Sequence, residues 1–232
     1  MSPKLSTVPK HVGFIMDGNR RWAKGKGLPN IEGHRHGYGN VKNVLRWCLA
    51  RGIHVVTVFA FSAENWNRSK KEVSYLMHLM GWAVKDVLKE LQEKKIQLRI
   101  IGKIEELPET LQSKLQRAAE VTKNNSKAIL NIAVNYGGRA EILDGVRKLI
   151  RTGVKASQLT EQKFSDALYT QGLPDPDLII RTSGEQRLSG FLLWEAAYAE
   201  LYFTSKKWPE FNERELDRAL VDYAQRKRNF GA

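Results

Sequence analysis

Residues 11–22 read HVGFIMDGNRRW, a short apolar run that changes abruptly into an acid, a glycine and two arginines. The apolar part, His11–Met16, predicts a buried β-strand because it is short and nearly free of polar residues. Asp17-Gly18-Asn19 is typical of a turn. This stretch sets the pattern of the chain, in which apolar runs end in polar, glycine-containing segments.

Short apolar runs alternate with helical patterns along the rest of the sequence. Apolar side chains fall at helical spacing over Gly37–Arg51 and Lys71–Lys94, and nearly continuous apolar runs predict strands between such segments. The alternation predicts an α/β fold whose mainly parallel sheet is flanked by helices. The other predicted strands are His54–Phe61, Gln97–Ile101, Ala128–Val134 and Asp177–Ile180, with helices over Pro108–Val121, Arg139–Ile150 and Asn212–Arg226.

The chain shows no internal repeat or linker. Its organisation is therefore interpreted as an N-terminal tail, residues 1–10, followed by one domain, residues 11–232. In parallel sheets, ligands bind beyond the carboxyl ends of the strands. The polar segments that follow the predicted strands are therefore the candidate site.

Composition narrows the classes of protein. A net charge of +13 over 232 residues favours polyanionic partners, which include nucleic acid, an anionic membrane surface and phosphorylated small molecules. The single cysteine, Cys48, excludes an internal disulfide and a cysteine-based metal cluster, and it favours a reduced cytosolic compartment. The first ten residues lack the apolar core of a signal peptide, and no apolar run is long enough to span a bilayer. We expect a cytoplasmic protein.

The first polar cluster follows the first strand. Gly18 lets the backbone turn sharply, and Arg20 and Arg21 supply planar donors suited to phosphate oxygens. A lone carboxylate such as Asp17 suits magnesium, which prefers one or two carboxylates together with substrate phosphates. Taken alone, Asp17-Gly18-Asn19 is equally typical of an ordinary turn with solvated charges.

Three further clusters repeat this chemistry. Phe61–Arg68 follows the second strand, and Arg181–Ser189 places two arginines around a glycine turn after the Asp177–Ile180 strand. Glu200 interrupts an apolar run, where a carboxylate is costly to bury unless it is paired or bound to a cation. The P-loop, the dinucleotide fingerprint and the paired aspartates of trans-type prenyl synthases are absent. Phosphate binding would therefore rest on arginines and backbone amides.

These clusters, together with the segment Asn131–Arg139, resemble in their order the cis-prenyltransferase family, over about Pro9 to Gly231. The resemblance implies a parallel sheet and helices around a long apolar substrate tunnel, assembled as a homodimer. It implies an isoprenyl transferase that condenses isopentenyl diphosphate with an allylic diphosphate primer, such as farnesyl or geranylgeranyl diphosphate. The product would be a cis-polyprenyl diphosphate, with diphosphate released and peripheral membrane contact open as a route for product release.

The resemblance also assigns roles to residues. Asp17 is similar to the family's magnesium-linked catalytic aspartate and Glu200 to its second metal-linked acid, so Mg²⁺ is the implied cofactor. Asn65 matches a position assigned as proton acceptor; because an amide is a poor base, we expect it to position substrate or to relay the proton through phosphate. The implied substrate-binding residues are Gly18, Asn19, Arg20, Arg21, Trp22 and His34 for the allylic diphosphate, Ser62, Ala63, Glu64, Trp66 and Arg68 at the reacting end, and Arg181, Arg187, Leu188 and Ser189 for isopentenyl diphosphate.

Two positions depart from the family pattern. Asn30 and Asn229 stand where the family usually has arginine, and Arg35 or Arg228 are candidates to compensate. Small residues at Ala60 and Ala128 are expected near the tunnel and favour a medium or long product, while the preferred primer and pathway are left open.

Two other functions compete with this interpretation. A non-catalytic subunit of a prenyltransferase complex is disfavoured because Asp17 is present, and a nucleic-acid-binding protein is disfavoured because the arginines stand singly in loops.

Overall fold

The computed structural model describes residues 7–227, so Arg228 and Asn229 lie outside the described residues. Its centre is a single six-stranded sheet in the order β3-β4-β2-β1-β5-β6, in which every neighbouring pair is parallel. The predicted α/β fold with a parallel sheet is confirmed. The strands are β1 (His11–Ile15), β2 (Val55–Ser62), β3 (Ile96–Ile101), β4 (Ala128–Tyr136), β5 (Leu178–Arg181) and β6 (Glu200–Phe203).

Helices flank the sheet. They are α1 (Asn19–Gly25), α2 (Asn30–Ala50), α3 (Lys70–Glu93), α4 (Glu109–Thr122), α5 (Gly138–Arg151), α6 (Glu161–Ser165) and α7 (Glu213–Gln225). The short α1 and α6 were not predicted, because neither is long enough to show an apolar period. The start of α2 was predicted seven residues too late, at Gly37, because its first two turns are mostly polar. None of the helices within the described range is long and apolar enough to cross a membrane.

The strand order places a crevice beside β1. From β1 the chain crosses to β2 on one side, whereas from β5, the other neighbour of β1, it continues to β6 in the opposite direction. Segments that leave adjacent parallel strands in opposite directions open a crevice at the carboxyl edge of the sheet. The segments after β1 and β5 therefore flank the expected ligand site.

A buried polar chain joins β1, β2 and β4 near the start of β1. The Nδ1 atom of His11 lies 2.7 Å from the carbonyl oxygen of Pro174, which can only accept, so Nδ1 carries the proton. His11 Nε2 then accepts from the Thr57 hydroxyl at 2.7 Å, and Thr57 Oγ1 in turn accepts from Asn131 Nδ2 at 3.2 Å. This arrangement holds His11 in one neutral tautomer. Burial lowers the pKa of His11 from 6.5 to about 4, although the nearby Asp177 opposes the shift.

We predict that stability falls on acidification because of His11. Between pH 6.5 and about 4 the unfolded chain binds a proton at His11 that the folded chain rejects. This contribution is therefore complete above pH 6.5 and is lost as the pH falls towards 4, by about 3 kcal/mol. Urea unfolding across this range should show the loss in wild type, and the slope should be smaller in His11→Asn. The exposed His78 is the control, since His78→Asn should keep the wild-type slope. Equal slopes in wild type and His11→Asn would contradict the assignment.

Candidate functional site

The crevice is closed at its base by an ion pair between Asp17, just after β1, and Arg181, the last residue of β5. Arg181 Nη2 donates to Asp17 Oδ2 at 3.0 Å, and Arg21 Nη2, one turn into α1, lies 3.1 Å from the same oxygen. Burial opposes ionisation of Asp17, but the hydrogen bonds from Arg181 and Arg21 outweigh it and lower the pKa of the carboxyl. Asp17 is therefore an anion in a basic site.

Gly18 allows the chain to turn directly from Asp17 into α1. Its φ of +96° lies in the left-handed region, and a Cβ atom there would stand 2.6 Å from the Ser183 hydroxyl oxygen. The Thr182 hydroxyl donates to the Asp17 carbonyl oxygen at 2.7 Å, so the segments after β1 and β5 are also joined through the backbone. Any side chain at residue 18 would push these segments apart.

A first polar pocket opens on the α1 side of Asp17. It is lined by Met16, Asp17, Gly18, Asn19, Arg20, Arg21, Lys24, Asn30, His34 and Arg68. Four of these are cations, which makes the pocket suited to a strongly anionic group. Arg35, which sequence reasoning offered as a replacement for the missing arginine at Asn30, does not line the pocket and pairs with Glu32 at 3.1 Å. Lys24 does line it, and sequence reasoning missed this residue.

Glu72 is a second residue that the sequence did not reveal. It is buried in the first turn of α3 and accepts from His34 Nε2 and Arg68 Nη1, each at 3.2 Å. Arg20 Nε approaches the same carboxylate at 3.9 Å. Glu72 thus holds together side chains from α1, from α2 and from the segment before α3, all three of which line the first pocket. Burial is the largest cause of the lowered pKa of His34, so its ring is neutral at physiological pH. In the sequence, Glu72 resembles an ordinary acid at a helix start.

A second polar pocket lies on the β2 side of Asp17. It is lined by Ile15, Met16, Asp17, Phe59, Ser62, Glu64, Asn65, Arg68, Arg181 and Ser189. The buried Arg181 donates through Nη1 to Ser189 Oγ at 2.8 Å, while its Nε atom has no hydrogen-bond partner among the described residues. A buried donor without a partner is costly in the free protein and suits a site that awaits an anion. Asp17 and Arg68 border both pockets, so two anionic groups bound here would be adjacent.

Asn65 lies in the second pocket, but its side chain is also engaged locally. Its Oδ1 atom accepts from the Ser62 backbone N–H at 3.3 Å and stabilises the 3-10 turn Ala63–Asn67 that follows β2. This bond fixes the amide at the edge of the pocket. The arrangement agrees with a positioning residue better than with a base.

Several predicted substrate-binding residues do not line either pocket. Trp22 is buried behind the first pocket against the ring of His36, and Trp66 donates its Nε1–H to Asn135 Oδ1 at 2.8 Å. The Arg187 side chain is 59% exposed and pairs with Glu185, although the Arg187 carbonyl oxygen accepts from Arg181. Ala63 begins the 3-10 turn, and Leu188 packs on a small apolar cluster beneath the crevice. In the described structure these five residues support the pockets or lie beside them.

Glu200 is not brought to Asp17 within one chain. It begins β6 and pairs in register with Leu178, at the start of β5, whereas Asp17 follows the far end of β1. Val12 is the residue of β1 that pairs with Leu178, and it stands three residues before the end of β1 at Ile15, which is about 10 Å along the strand. Because β5 lies between β1 and β6, the two strands are also two strand widths apart. Arg226 Nη1 donates to Glu200 Oε2 at 2.6 Å and neutralises it. Glu200 therefore lies away from Asp17 within one chain, and its role as the second metal-linked acid stays a prediction. Over residues 7–227 no cluster of three or more His, Cys, Asp or Glu side chains is arranged to hold a metal.

An apolar tunnel leads away from the first pocket. It begins at Met16, Asn19 and His34, which border the first pocket, and continues between α2, α3 and the sheet. The tunnel is lined by Gly37, Tyr38, Val41, Lys42 and Leu45 of α2, Leu76, Leu79, Met80, Ala83, Val84 and Val87 of α3, Val58, Ala60, Leu130, Ile132 and Val134 of the sheet, and Leu115 and Trp208. The expected place of Ala60 is confirmed, whereas Ala128 does not line the tunnel and is buried at the start of β4.

Comparisons with known proteins agree with this geometry. The family model described as "Putative undecaprenyl diphosphate synthase" matches residues 15–231. A farnesyl-diphosphate-specific ditrans,polycis-undecaprenyl-diphosphate synthase from Legionella pneumophila strain Philadelphia 1 is 45% identical, covering 97% of this chain and 96% of that protein. A geranylgeranyl-diphosphate-specific tritrans,polycis-undecaprenyl-diphosphate synthase from Thermoplasma volcanium is also 45% identical, covering 96% of this chain and 89% of that protein.

A solved structure gives the same result. Lavandulyl diphosphate synthase from Lavandula x intermedia, in complex with dimethylallyl diphosphate, superposes with a TM-score of 0.92 at 38% sequence identity. The match covers 97% of this chain and 98% of the lavender chain. With the family model, the relatives and the shared fold in agreement, the chain belongs to the undecaprenyl diphosphate synthase family of prenyltransferases.

Proposed function

We propose that this chain condenses isopentenyl diphosphate with an allylic diphosphate primer, such as farnesyl or geranylgeranyl diphosphate, to form a cis-polyprenyl diphosphate. The observation that carries the proposal is that two polar pockets, each lined by arginine, meet at Asp17, and that the first of them continues into an apolar tunnel. The primer's diphosphate would occupy the first pocket with its hydrocarbon tail in the tunnel. Isopentenyl diphosphate would occupy the second pocket, held by Arg181 and Ser189.

The reaction needs the charges that the pockets provide. The allylic carbon–oxygen bond breaks, and its electron pair leaves with the primer's diphosphate. The double bond of isopentenyl diphosphate then forms the new carbon–carbon bond, and a proton is lost to restore a double bond. Arg20, Arg21 and Lys24 stabilise the departing diphosphate, because fixed positive charges act where negative charge develops. Asn65 positions isopentenyl diphosphate so that a phosphate oxygen can take the proton.

Magnesium fits the residues present. Asp17 is a partly exposed carboxylate at the border of both pockets, and both arginines that bind it engage the same oxygen, Oδ2. One protein carboxylate plus substrate phosphate oxygens is a usual magnesium site, since the ion dehydrates reluctantly and keeps several waters. Asp17 would hold the ion together with the bound diphosphates. When bound, the ion would supply positive charge that stabilises the leaving group.

The wider setting follows from charge and surface. Leu143, Val146 and Ile150 are apolar side chains of α5 that are 40% to 71% exposed, which supports a homodimer that covers them. The lack of a membrane-crossing helix in the described range supports a cytoplasmic enzyme, with peripheral contact when its apolar product leaves.

The two competing functions are less well supported. Asp17 and its cluster favour a catalytic chain over a silent subunit, and cations in concave pockets beside an apolar tunnel favour diphosphates over nucleic acid.

The first prediction tests the proposed reaction. Purified protein should incorporate labelled isopentenyl diphosphate into products longer than the farnesyl or geranylgeranyl diphosphate supplied. Incorporation should stop in excess EDTA and return with added magnesium, because the proposed ligands, Asp17 and the substrate phosphates, bind through oxygen atoms, which magnesium prefers. The measurement is extraction and separation of the labelled products by length. Full incorporation in EDTA would contradict the metal dependence, and no incorporation with any primer would contradict the proposed function.

The second prediction concerns Asp17. Asp17→Asn keeps the shape of the side chain but removes its charge, so turnover should fall about a hundredfold, as expected when metal-assisted stabilisation of the leaving group is lost. The exposed Asp166 is the matched control, and Asp166→Asn should retain wild-type turnover. Circular dichroism should show both variants folded. A rate above one tenth of wild type in Asp17→Asn would contradict the assigned role.

The third prediction separates Lys24 from Arg35. Lys24 lines the first pocket, so Lys24→Ala should raise the primer's KM about tenfold or more through loss of a charged hydrogen bond. Arg35→Ala should leave that KM unchanged, because Arg35 pairs with Glu32 outside the pocket. Asn30→Arg should lower the primer's KM in wild type, and more so in Lys24→Ala, where oxygens are left without a partner. Equal effects of Lys24→Ala and Arg35→Ala on the primer's KM would show that Lys24 has been wrongly assigned to diphosphate binding.

A further inference from the structure

A row of polar contacts joins α2 and α3 along the outer side of the tunnel. The Tyr38 hydroxyl donates to Asp86 Oδ2 at 2.9 Å, and Lys42 Nζ donates to the same oxygen at 2.9 Å. One turn further on, Arg46 donates through Nε and Nη2 to the two oxygens of Glu90, each at 2.7 Å. We call these five residues, Tyr38, Lys42, Arg46, Asp86 and Glu90, the polar seam.

The polar seam forms part of the tunnel wall. Tyr38 and Lys42 line the tunnel themselves, and Ala83, whose carbonyl oxygen lies 3.0 Å from the Tyr38 hydroxyl, lines it from α3. The apolar stem of a lysine can cover a hydrophobic surface while its ammonium group reaches water, and Lys42 does this here. Asp86 and Glu90 do not line the tunnel. From Tyr38 to Arg46 the polar seam runs for eight residues, which is about 12 Å of helix.

Of the walls of the tunnel, the one between α2 and α3 can yield most easily. The wall opposite is the sheet, where β2 and β4 pair in regular register from Val55 to Phe59 and irregularly from there to Ser62. On its own side, α2 is fixed by Trp208 Nε1, which donates to the Gly37 carbonyl oxygen at 2.7 Å, and by Asn40 Nδ2, which donates to the Phe211 carbonyl oxygen at 2.8 Å. Between α2 and α3, by contrast, no hydrogen bond joins two backbone groups within residues 7–227, and every hydrogen bond across this wall uses a side chain. Separation of the two helices therefore requires the polar seam to break.

The ionic pairs of the polar seam are strong in geometry but exposed to solvent. The Arg46 side chain is 48% exposed and that of Asp86 37% exposed. Hydrogen bonds from Arg46 are the largest cause of the lowered pKa of Glu90, which falls to about 2, so Glu90 is charged at working pH. Pairs at this exposure are individually weak and are screened by salt. Each ion pair of the polar seam therefore contributes only a small free energy that opposes the separation of α2 and α3.

We infer that the polar seam determines product length by limiting how far α2 and α3 can separate as the chain grows. The inference rests on the proposed function, because it concerns the tail of the product of that reaction. Leu45 and Val87 are the last residues of α2 and α3 that line the tunnel, and Leu115 of α4 lines it as well. A growing chain that has filled the tunnel must stop or displace a wall. An intact polar seam stops growth, and a broken one lets the tail spread between the helices and accept further isoprene units.

The test compares product lengths in wild type and in the double variant Asp86→Asn, Glu90→Gln. Neither residue lines the tunnel or the polar pockets, so the rate of the first condensation should stay within about twofold of wild type. The product distribution, separated by length, should shift upward by at least one isoprene unit. Raising the salt concentration should lengthen the wild-type products in the same direction, because screening weakens the same pairs. The double variant should no longer respond to salt.

A matched control lies on the same helix. Lys89 and Glu93 form an ion pair at 3.8 Å within α3, away from α2, and Glu93→Gln should keep the wild-type product distribution and its salt response. The single variants Asp86→Asn and Glu90→Gln, each with half of the expected change, replace the double variant if circular dichroism shows it unfolded. A double variant with the wild-type distribution, or with shorter products, would overturn the inference while leaving the proposed function intact. A wild-type protein that makes no polyprenyl product would overturn both.

Discussion

The ion pair between Asp17 and Arg181 is the interaction on which the site depends. It joins the segments after β1 and β5 where the strand order opens a crevice, and Arg21 completes it from α1. Because Asp17 borders both polar pockets, the same carboxylate orders the arginines and lies between the two sites proposed for the substrates. The chain carries a net charge of +13, and four of its cations line the first pocket of this crevice, namely Arg20, Arg21, Lys24 and Arg68.

The tunnel depends on the same crevice. Asn19 and His34 border both the first pocket and the tunnel, so a substrate with an anionic head and an apolar tail has one continuous place to lie. Glu72 holds His34 and Arg68 at the junction. Deeper along the tunnel, the contacts that hold α2 against α3 change from this active-site cluster to the polar seam. The proposed reaction therefore depends on the segments after β1 and β5, whereas the proposed limit on product length depends on contacts further along α2 and α3.

Much of this was predictable from local sequence. The apolar strands and the polar segments after them follow from patterns within a few residues, which is why Asp17, Arg181 and Ser189 were expected near one another, and the structure joins them by hydrogen bonds. Residues whose role comes from distant contacts were not predictable in this way. Lys24 and Glu72 look like ordinary charges on helices. Only the packing of α1, α2 and α3 brings Lys24 into the first pocket and Glu72 against His34, which lines it. Glu200 stands out in the local sequence as a lone acid in an apolar run, but the strand register, which local sequence does not give, separates it from Asp17 within one chain.

The most direct test of the account is a crystal structure with an unreactive thio-analogue of farnesyl diphosphate. We predict that the diphosphate lies in the first pocket against Arg20 and Lys24, with the tail between α2 and α3 towards Leu45. A separate groove outside the tunnel, between α3 and α4, is lined by Met77 and Lys114 and offers a different place for such a molecule. An analogue bound only in that groove, with the tunnel empty, would contradict the account.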